Sequence, residues 1–247
     1  MSKSKIDQDG FQIVKSKRIS KNKQTKIPIK AVQLEKQDIE IDVVKAIRHI
    51  VEIICLGLGH ISECNISKYQ IALLLCIKDL CNPTKVHVHD PIFYKGECEV
   101  LKHFGFQVIL ENNEGSYIIS DNVTTLAYFP HCPKQLTNNF LWCNWGVKLH
   151  NCLLMCNSFN SLIDNNPSRI ISDSVPYIYK ILPHTQELPI QNNFKYTDIF
   201  NDTSLHHFPK EKLEILESAF WKKGDKPSYD NTEEFITSLM IENLKSL

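Results

Sequence analysis

The chain has 247 residues, of which 43% are hydrophobic and 23% charged, and its formal net charge at neutral pH is zero. This is the composition of a globular protein with enough apolar residues for a sizeable core, and the length suits one large α/β domain with tails or two small domains. The balanced charge argues against a protein that mainly coats nucleic acid, so no specific nucleic-acid partner is expected.

Residues 1–37 are predicted to be a disordered basic arm. They are polar and rich in lysine, with few apolar residues to offset the entropy cost of ordering. Such an arm is a solubilising tail, a nuclear address or a weak polyanion contact. No apolar stretch of signal-peptide type follows the first lysines, and no apolar run is long enough to cross a bilayer. We therefore expect a cytoplasmic protein, also nuclear if the arm is an address, with no membrane partner.

The nine cysteines are expected to be free thiols, because disulfides are rare inside cells. Four of them, Cys55, Cys76, Cys152 and Cys156, lie within apolar runs, where a free cysteine behaves as a small core residue. No pair has the C-x-x-C spacing of a zinc site, so no metal is predicted.

The predicted elements begin with a helix over residues 38–51, whose apolar residues recur every three or four positions. A strand at 53–56 then leads into Gly57 and Gly59. An apolar helix with Ser67 as its cap follows and runs to about residue 80. The order of strand, glycine turn and helix is the unit with which open α/β sheets begin a ligand site.

Further strands are predicted at 86–89, 106–110, 125–129 and 149–155, with helices at 96–104 and 134–142 and a short extra strand at 117–119. Beyond these the pattern is weaker: 177–182 is strand or helix, 197–208 is mixed, and helices at 210–220 and 232–244 form a helical extension over 211–247. Strands that alternate with helices predict an α/β fold, a Rossmann-like three-layer parallel sheet with helices on both faces, over residues 38–210.

A polar crevice is expected at the carboxyl ends of these strands, where ligands bind in such sheets. The residues expected to line it follow the five strands in order: Gly57, Gly59, Ser62, Asp90, Glu114, His131, Cys132 and Asn157. The alternative is that these are simply the polar loops found in any soluble α/β protein.

Two parts of the crevice indicate a nucleotide-like ligand. The glycine loop lets the backbone approach a ligand, and the amides that open the next helix attract an anion. Asp90 occupies the position at which an acidic residue accepts hydrogen bonds from ribose hydroxyls, or else it is a turn residue before Pro91. Glu63 and Glu97 either face the crevice as carboxylate bases or are solvated residues at helix ends.

The tripeptide from His131 to Pro133 has two functional interpretations. A cysteine beside a histidine suggests a thiolate nucleophile, although neighbours in an extended segment point in opposite directions and rarely form a working pair. A cysteine followed by proline also resembles the short motif of haem-responsive proteins, whose thiolate ligates iron. The sequence does not name the ligand, and a nucleotide-like ligand and haem are the two candidates. His206 and His207 either reach the crevice or lie at a surface or domain interface.

At these motifs the chain resembles the SRR-like domain family, named for "sensitivity to red light reduced". The blocks that carry the resemblance are CLGLG at 55–59, ISEC at 61–64, SKYQ at 67–70, DPIF at 90–93, NEG at 113–115, YFPHCP at 128–133, NW at 144–145 and NSF at 157–159. They span residues 51–159, with a weaker echo at 200–204. The basic arm and the carboxyl-terminal helices lie outside the resemblance.

The resemblance implies a regulatory protein with protein partners, associated with circadian clock input and with control of haem biosynthesis. It implies no defined reaction and no catalytic residues. The residues leave a second reading open, a transferase that uses S-adenosylmethionine, because a glycine loop followed by an acidic end of the second strand is also the methyltransferase layout. Against it, no acidic residue immediately precedes Gly57. A purely structural scaffold, the third reading, would need no crevice.

Overall fold

The structure, a computed structural model, describes residue 47, residues 49–229 and residue 236. The predicted basic arm lies outside the described residues, as do most of the predicted helix at 38–51 and all of the predicted terminal helix except Ile236. Ile50 and Val51 belong to the first strand, so the prediction that the helix continues to residue 51 was wrong.

One seven-stranded sheet forms the centre of the molecule. Its strands, numbered along the chain, are β1 (Ile50–Leu56), β2 (Lys85–His89), β3 (Gln107–Val108), β4 (Thr124–Tyr128), β5 (Cys152–Asn157), β6 (Gln186–Pro189) and β7 (Thr203–His207). Their order across the sheet is β3-β2-β1-β4-β5-β7-β6. The first five strands run parallel, whereas β7 is antiparallel to both β5 and β6. The Rossmann-like α/β prediction is confirmed, and the expectation of a wholly parallel sheet fails at β7.

Helices cover both faces of this sheet. They are α1 (Asn65–Cys81), α2 (Lys95–His103), α3 (Lys134–Cys143), α4 (Phe159–Asp164), α5 (Ser168–Ser174), α6 (Pro176–Ile181) and α7 (Lys210–Glu214). Successive side chains of a strand point to opposite faces. In β1, Ile53 packs in the core cluster that contains Leu74 of α1, and its neighbour Ile54 packs in the cluster that contains Phe140 of α3. The predicted three layers are therefore present.

Helix α1 begins two residues before its predicted cap. Its N-cap residue is Cys64, and Ser67 is buried inside the helix. The helix ends as predicted, because Asn82 adopts a left-handed conformation with φ 46° and donates its N–H to the Lys78 carbonyl at 2.8 Å. Pro83 follows and cannot continue the helix.

The predicted strand at 117–119 is absent, because a side chain takes the place of a neighbouring strand. Buried Asn144 accepts a hydrogen bond from Ile119 N at 3.0 Å and donates one to Tyr117 O at 2.8 Å. The strand predicted at 149–155 starts only at Cys152, and a 3₁₀ helix, Val147–Asn151, precedes it. The strand predicted at 106–110 is reduced to the two residues of β3.

The structure shows which elements form in the carboxyl-terminal part of the domain, where the sequence pattern was weak. The segment around 177–182 is helical, since α6 occupies most of it, and the mixed segment contains β7. The helix predicted at 210–220 ends at Glu214. Phe220 and Trp221 then turn back onto Trp145, with ring centroids 5.2 and 5.3 Å away, so the apolar pattern there reflects a packed turn. Among the helices of the described ranges, none is long and apolar enough to span a membrane.

Replacing Asn144 with alanine should destabilise the domain by about 3 kcal/mol, because it leaves a buried N–H and a buried carbonyl at 117–119 without partners. Chemical denaturation measures this loss. Asn165→Ala is the matched control, since its amide makes one exposed hydrogen bond to Ser161. The control should change the free energy of unfolding by less than about 0.5 kcal/mol. Equal effects of the two substitutions would contradict the role given to Asn144.

Candidate functional site

The turn after β1 is held against the end of β2 by two backbone donors. Gly57 and Gly59 adopt left-handed conformations with φ 73° and 69°, which suit glycine. Gly57 N donates to the His89 carbonyl at 3.1 Å, and Gly59 N donates to Asp90 Oδ2 at 2.7 Å. A Cβ at Gly57 would overlap the sulfur of Cys132. The glycines are therefore needed both for the backbone turn and for the close approach of the loop after β4.

Asp90 acts as a turn residue and keeps capacity for a ligand. Its Oδ1 accepts a hydrogen bond from Ile92 N at 3.0 Å, and its Oδ2 accepts the one from Gly59. Each oxygen of an ionised carboxylate can accept a second bond. Asp90 is half-buried, so these remaining positions are within reach of a molecule in the adjoining space.

A cavity of about 190 Å³ opens at this edge, and we call it the β1–β2 cavity. Four of the eight predicted site residues line it: Gly57, Gly59, Asp90 and Glu114. Its apolar wall includes Pro91, Ile92, Pro133 and Leu136. Ile236 also lines it, and the Ile236 carbonyl accepts a hydrogen bond from Asn112 Nδ2 at 3.1 Å.

His89 is a residue of this cavity that the sequence analysis assigned only to a strand. It is 4% exposed, and its Nδ1 lies 2.8 Å from the Ile109 carbonyl oxygen. A carbonyl can only accept, so Nδ1 carries a proton. The Nε2 is buried and has no hydrogen-bond partner among the residues that the structure describes. Buried polar atoms without partners are rare and costly, so a ligand that donated a hydrogen bond here would relieve a penalty. The sequence signal that could have identified His89 as a site residue was its position at the end of a strand, directly before Asp90.

The loop after β3 forms the opposite side of the β1–β2 cavity. Glu114 and Gly115 are both left-handed, with φ 54° and 87°. A Cβ at Gly115 would collide with the Leu136 carbonyl of α3. The Glu114 carbonyl accepts a hydrogen bond from Asn139 at 2.8 Å, and the Glu114 carboxylate pairs with Lys226 Nζ at 2.7 Å. The loop is thus fixed to α3, with Glu114 at the edge of the cavity.

Ser62 does not line the β1–β2 cavity, because Glu97 binds it. The Oε1 of buried Glu97 accepts both the backbone N–H and the hydroxyl of Ser62, each at 2.7 Å, and its Oε2 accepts Tyr94 N at 2.8 Å. Burial alone would raise the pKa of Glu97, but the hydrogen bonds from Ser62, Tyr94 and His60 outweigh burial and lower that pKa to about 2. Glu97 is therefore an ionised clamp and not a base poised near neutral pH, while Glu63 is exposed.

The other three predicted residues lie together in a neighbouring space. A cavity of about 540 Å³, which we call the β4–β5 cavity, is lined by His131, Cys132 and Asn157. Pro133 lines both this cavity and the β1–β2 cavity, so the two are adjacent. The structure therefore brings seven of the eight predicted residues to one edge of the sheet, divided between two cavities.

Cys132 is a packing residue in this arrangement. Its Sγ is buried beneath Gly57 and donates to the Leu56 carbonyl at 3.1 Å. Burial raises the pKa of the Cys132 thiol well above its ordinary value, and the negative charge of Asp90 raises it further. The thiol is therefore protonated at neutral pH, and the residues here do not fit ligation of haem iron by a Cys132 thiolate. In the described part of the chain, no group of histidine, cysteine and acidic side chains could hold a metal ion.

His131 and Asn157 hold the loop after β4. His131 is exposed and left-handed, with φ 52°. Asn157 Nδ2 donates to the Cys132 carbonyl at 3.3 Å. The adjacent side chains of the histidine and the cysteine differ in exposure, so they do not form the nucleophile and base of a catalytic pair.

A second carboxylate clamp, which sequence reasoning missed, lies at the end of β5. Glu187 of β6 accepts hydrogen bonds from the Ser158 hydroxyl and from Asn160 N, and His206 Nε2 lies 3.5 Å from its Oε2. Burial raises the pKa of Glu187, but these neighbours, His206 first, lower it to about 2. His206 is fully buried, so the expectation that it lies at a surface or interface was wrong.

The model of the SRR1 domain matches residues 23–207 of this chain, three quarters of its length. The chain belongs to the SRR1-domain family. The match extends beyond the motif blocks at both ends and begins inside the predicted basic arm. The statement that the whole arm lies outside the resemblance was therefore wrong for residues 23–37.

Two relatives of this SRR1-domain protein carry the name "SRR1-like protein". The relative from Drosophila melanogaster is 32% identical over 187 residues, which cover 75% of this chain and 65% of the relative. The relative from Mus musculus is 36% identical over 134 residues, which cover 53% of each chain. The aligned regions thus span between about half and two thirds of the relatives' lengths. No solved structure matches the chain.

Gly57→Ala in this SRR1-domain protein should lower the free energy of unfolding by about 3 kcal/mol, through left-handed strain and overlap with Cys132 Sγ. Adding Cys132→Ala removes the overlap but not the strain. In a double-mutant cycle measured by denaturation, the two changes should therefore couple by about 1 kcal/mol or more.

Gly96→Ala is the control for that cycle, because Gly96 is exposed in α2 and an added Cβ would meet nothing within 4 Å. It should be neutral or stabilise by up to about 1 kcal/mol. If the changes in unfolding free energy caused by Gly57→Ala and Cys132→Ala simply added, the loops after β1 and β4 would not be in the contact described.

The stability of the domain should fall as the pH is lowered from about 4.5 towards 2. The pKa of Glu97 is about 2 in the folded protein against an ordinary value of 4.5, so its contribution is complete above 4.5 and is lost as the pH approaches 2. Glu97→Gln should flatten this part of the curve of unfolding free energy against pH. Glu63→Gln, which removes an exposed charge, should leave the slope unchanged. Identical slopes in both variants would rule out the clamp.

Proposed function

We propose that this SRR1-domain protein is a regulatory protein that binds a small ligand in the crevice at the carboxyl edge of its sheet and passes the bound state to protein partners. The observation that carries the proposal is the β1–β2 cavity. It unites the glycine loop, the carboxylate of Asp90 and the Nε2 of His89, which has no hydrogen-bond partner within the described residues. Family membership supports circadian clock input and control of haem biosynthesis as the processes concerned.

The position of the cavity supports ligand binding. From β1 the chain continues to β2 and β3 on one side of the sheet, and β4 and β5 lie on the other side. In open α/β sheets ligands bind outside the carboxyl ends of the strands, where the order reverses in this way. Gly57 from the loop after β1, Asp90 from the end of β2 and Pro133 from the loop after β4 all line the cavity at this place.

The contacts at the site favour a binding role over catalysis. Of the acidic side chains at this edge, Asp90 and Glu97 accept backbone hydrogen bonds and Glu114 pairs with Lys226, while Cys132 is a buried thiol. A nucleophile needs a base within hydrogen-bond reach, and Cys132 instead donates to a backbone carbonyl. A sensor needs only a ligand whose binding free energy differs between two states of the protein.

A second candidate function is transfer of a methyl group from S-adenosylmethionine. The observation in its favour is the sheet: parallel strands in the order β3-β2-β1-β4-β5, with a reversed strand inserted before the last. This is the sheet arrangement of S-adenosylmethionine-dependent methyltransferases. Asp90 at the end of β2 also suits the ribose of that cofactor. Likeness of fold argues for a site but not for a reaction, so this candidate stands second.

A thermal-shift panel of adenosine, S-adenosylmethionine, NAD, ATP and haemin tests the proposal. A bound ligand at a hundredfold excess over its dissociation constant stabilises the folded protein by about 2.7 kcal/mol. We expect at least one response, and we expect Asp90→Asn to abolish it because the ionised acceptor is lost. Asp79→Asn, which removes an exposed carboxylate on α1, is the matched control and should retain the response.

Recovery of protein partners with and without the active ligand then tests the regulatory part. The proposal is supported by a partner whose recovery with the native chain depends on the ligand and whose recovery with the Asp90→Asn variant does not. Methyl transfer from S-adenosylmethionine to a recovered partner would replace it with the second candidate. Silence across the panel, or a response that survives Asp90→Asn, would reject a ligand site in the β1–β2 cavity.

A further inference from the structure

The donors that would cradle a phosphate in the glycine loop are already engaged. Phosphate sites at the start of such sheets use backbone N–H groups that point at the ligand. Here the N–H of Gly57 points to the His89 carbonyl and that of Gly59 to the Asp90 carboxylate. The N–H of Ser62, at the end of the loop, points to Glu97. The loop has the glycines of a phosphate-binding turn, but these backbone N–H groups already donate hydrogen bonds to other parts of the protein.

The side chains that line the β1–β2 cavity offer acceptors and negative charge. Asp90 and Glu114 contribute carboxylates, and no lysine or arginine is among the lining residues in the described part of the chain. Lys226 approaches Glu114, but its Nζ is engaged at 2.7 Å from the carboxylate. A phosphate or a haem propionate in this space would lie close to the Asp90 carboxylate, and no lysine or arginine among the described lining residues would offset that repulsion, which costs free energy at short range.

His89 adds a buried acceptor that a ligand in the cavity can satisfy. Its Nδ1 proton is directed to the Ile109 carbonyl, so in the neutral imidazole Nε2 carries a lone pair. The residue lines the cavity and Nε2 has no partner within the described ranges. A ligand with an N–H or O–H group at this point would remove the penalty of a buried unpaired acceptor.

The size and walls of the cavity suit a small ring system. Its volume of about 190 Å³ is below the 300–1,000 Å³ typical of sites for drug-sized ligands. Ile92 and Leu136 provide apolar surface beside the polar group formed by His89 and Asp90. A flat base can pack on such a wall while an attached sugar presents its hydroxyls to the carboxylate.

We propose that the β1–β2 cavity selects a ribonucleoside derivative that carries no phosphate and is neutral or cationic, and that it discriminates against nucleotides and haem. The ribose hydroxyls donate to Asp90, and an amino group of the base donates to His89 Nε2. This inference rests on the proposed function, since it names the ligand class of the same cavity. The chemistry is shared by a free nucleoside and by a sulfonium or thioether derivative of one.

Isothermal titration of the full chain with adenosine, S-adenosylhomocysteine, S-adenosylmethionine, AMP and ATP tests this selectivity. We expect at least one phosphate-free compound to bind tenfold or more tighter than AMP and ATP. His89→Phe keeps a ring but removes the acceptor, and it should weaken that binding about tenfold. His103→Phe, on the exposed end of α2, is the matched control and should bind as the native chain does.

Asp90→Asn provides a second variant in case His89→Phe fails to fold. It removes the charge while keeping the shape, so the ratio of ATP affinity to nucleoside affinity should rise. Nucleoside binding that is unchanged in both variants would place the ligand elsewhere and overturn the inference.

Tight binding of ATP or NAD that is lost in Asp90→Asn would also overturn the inference, while leaving the crevice as a ligand site. Absence of binding by all five compounds would overturn it too. In that case the proposed function fails only if haemin and NAD are also silent in the thermal-shift panel, so the two failures are distinguishable.

Discussion

The hydrogen bond from Gly59 N to the Asp90 carboxylate is the interaction on which the rest of the site depends. It joins the turn after β1 to the end of β2, and the bond from Gly57 N to the His89 carbonyl does the same one step earlier. Cys132 packs beneath Gly57 and brings in the loop after β4. Because parallel strands end at one edge, three loops are joined where the order of the sheet reverses, and the cavity forms between them.

Carboxylates hold this edge of the molecule together in a recurring way. Glu97 accepts hydrogen bonds from the backbone N–H groups of Ser62 and Tyr94, and Glu187 accepts one from that of Asn160. Each carboxylate therefore accepts hydrogen bonds from loop N–H groups that would otherwise be available to bind an anion. The consequence is that carboxylates occupy these loop amides, whereas in a typical nucleotide phosphate site the amides face the ligand.

The candidate site was predictable from the sequence where a residue's role depends on its place in the strand order. Gly57, Asp90 and Glu114 follow strands that could be recognised from apolar runs, and parallel strands bring such residues to one edge. Ser62 followed the same rule but is bound by Glu97, a residue 35 positions away. His89 was overlooked because its Nε2 stands out only by having no partner among the described residues around it, which no local sequence pattern records.

The sequence by itself determined the alternation of strands and helices, the glycine turn and the family, because these depend on local periodicity and on short motifs. The tertiary structure alone decided that β7 runs antiparallel between β5 and β6, and that Asn144 replaces a strand partner at 117–119. It also decided that the amides of the glycine loop are occupied. These outcomes rest on contacts between residues far apart in the chain, and the balance of hydrogen bonds and charge at such contacts exists only once the chain is folded.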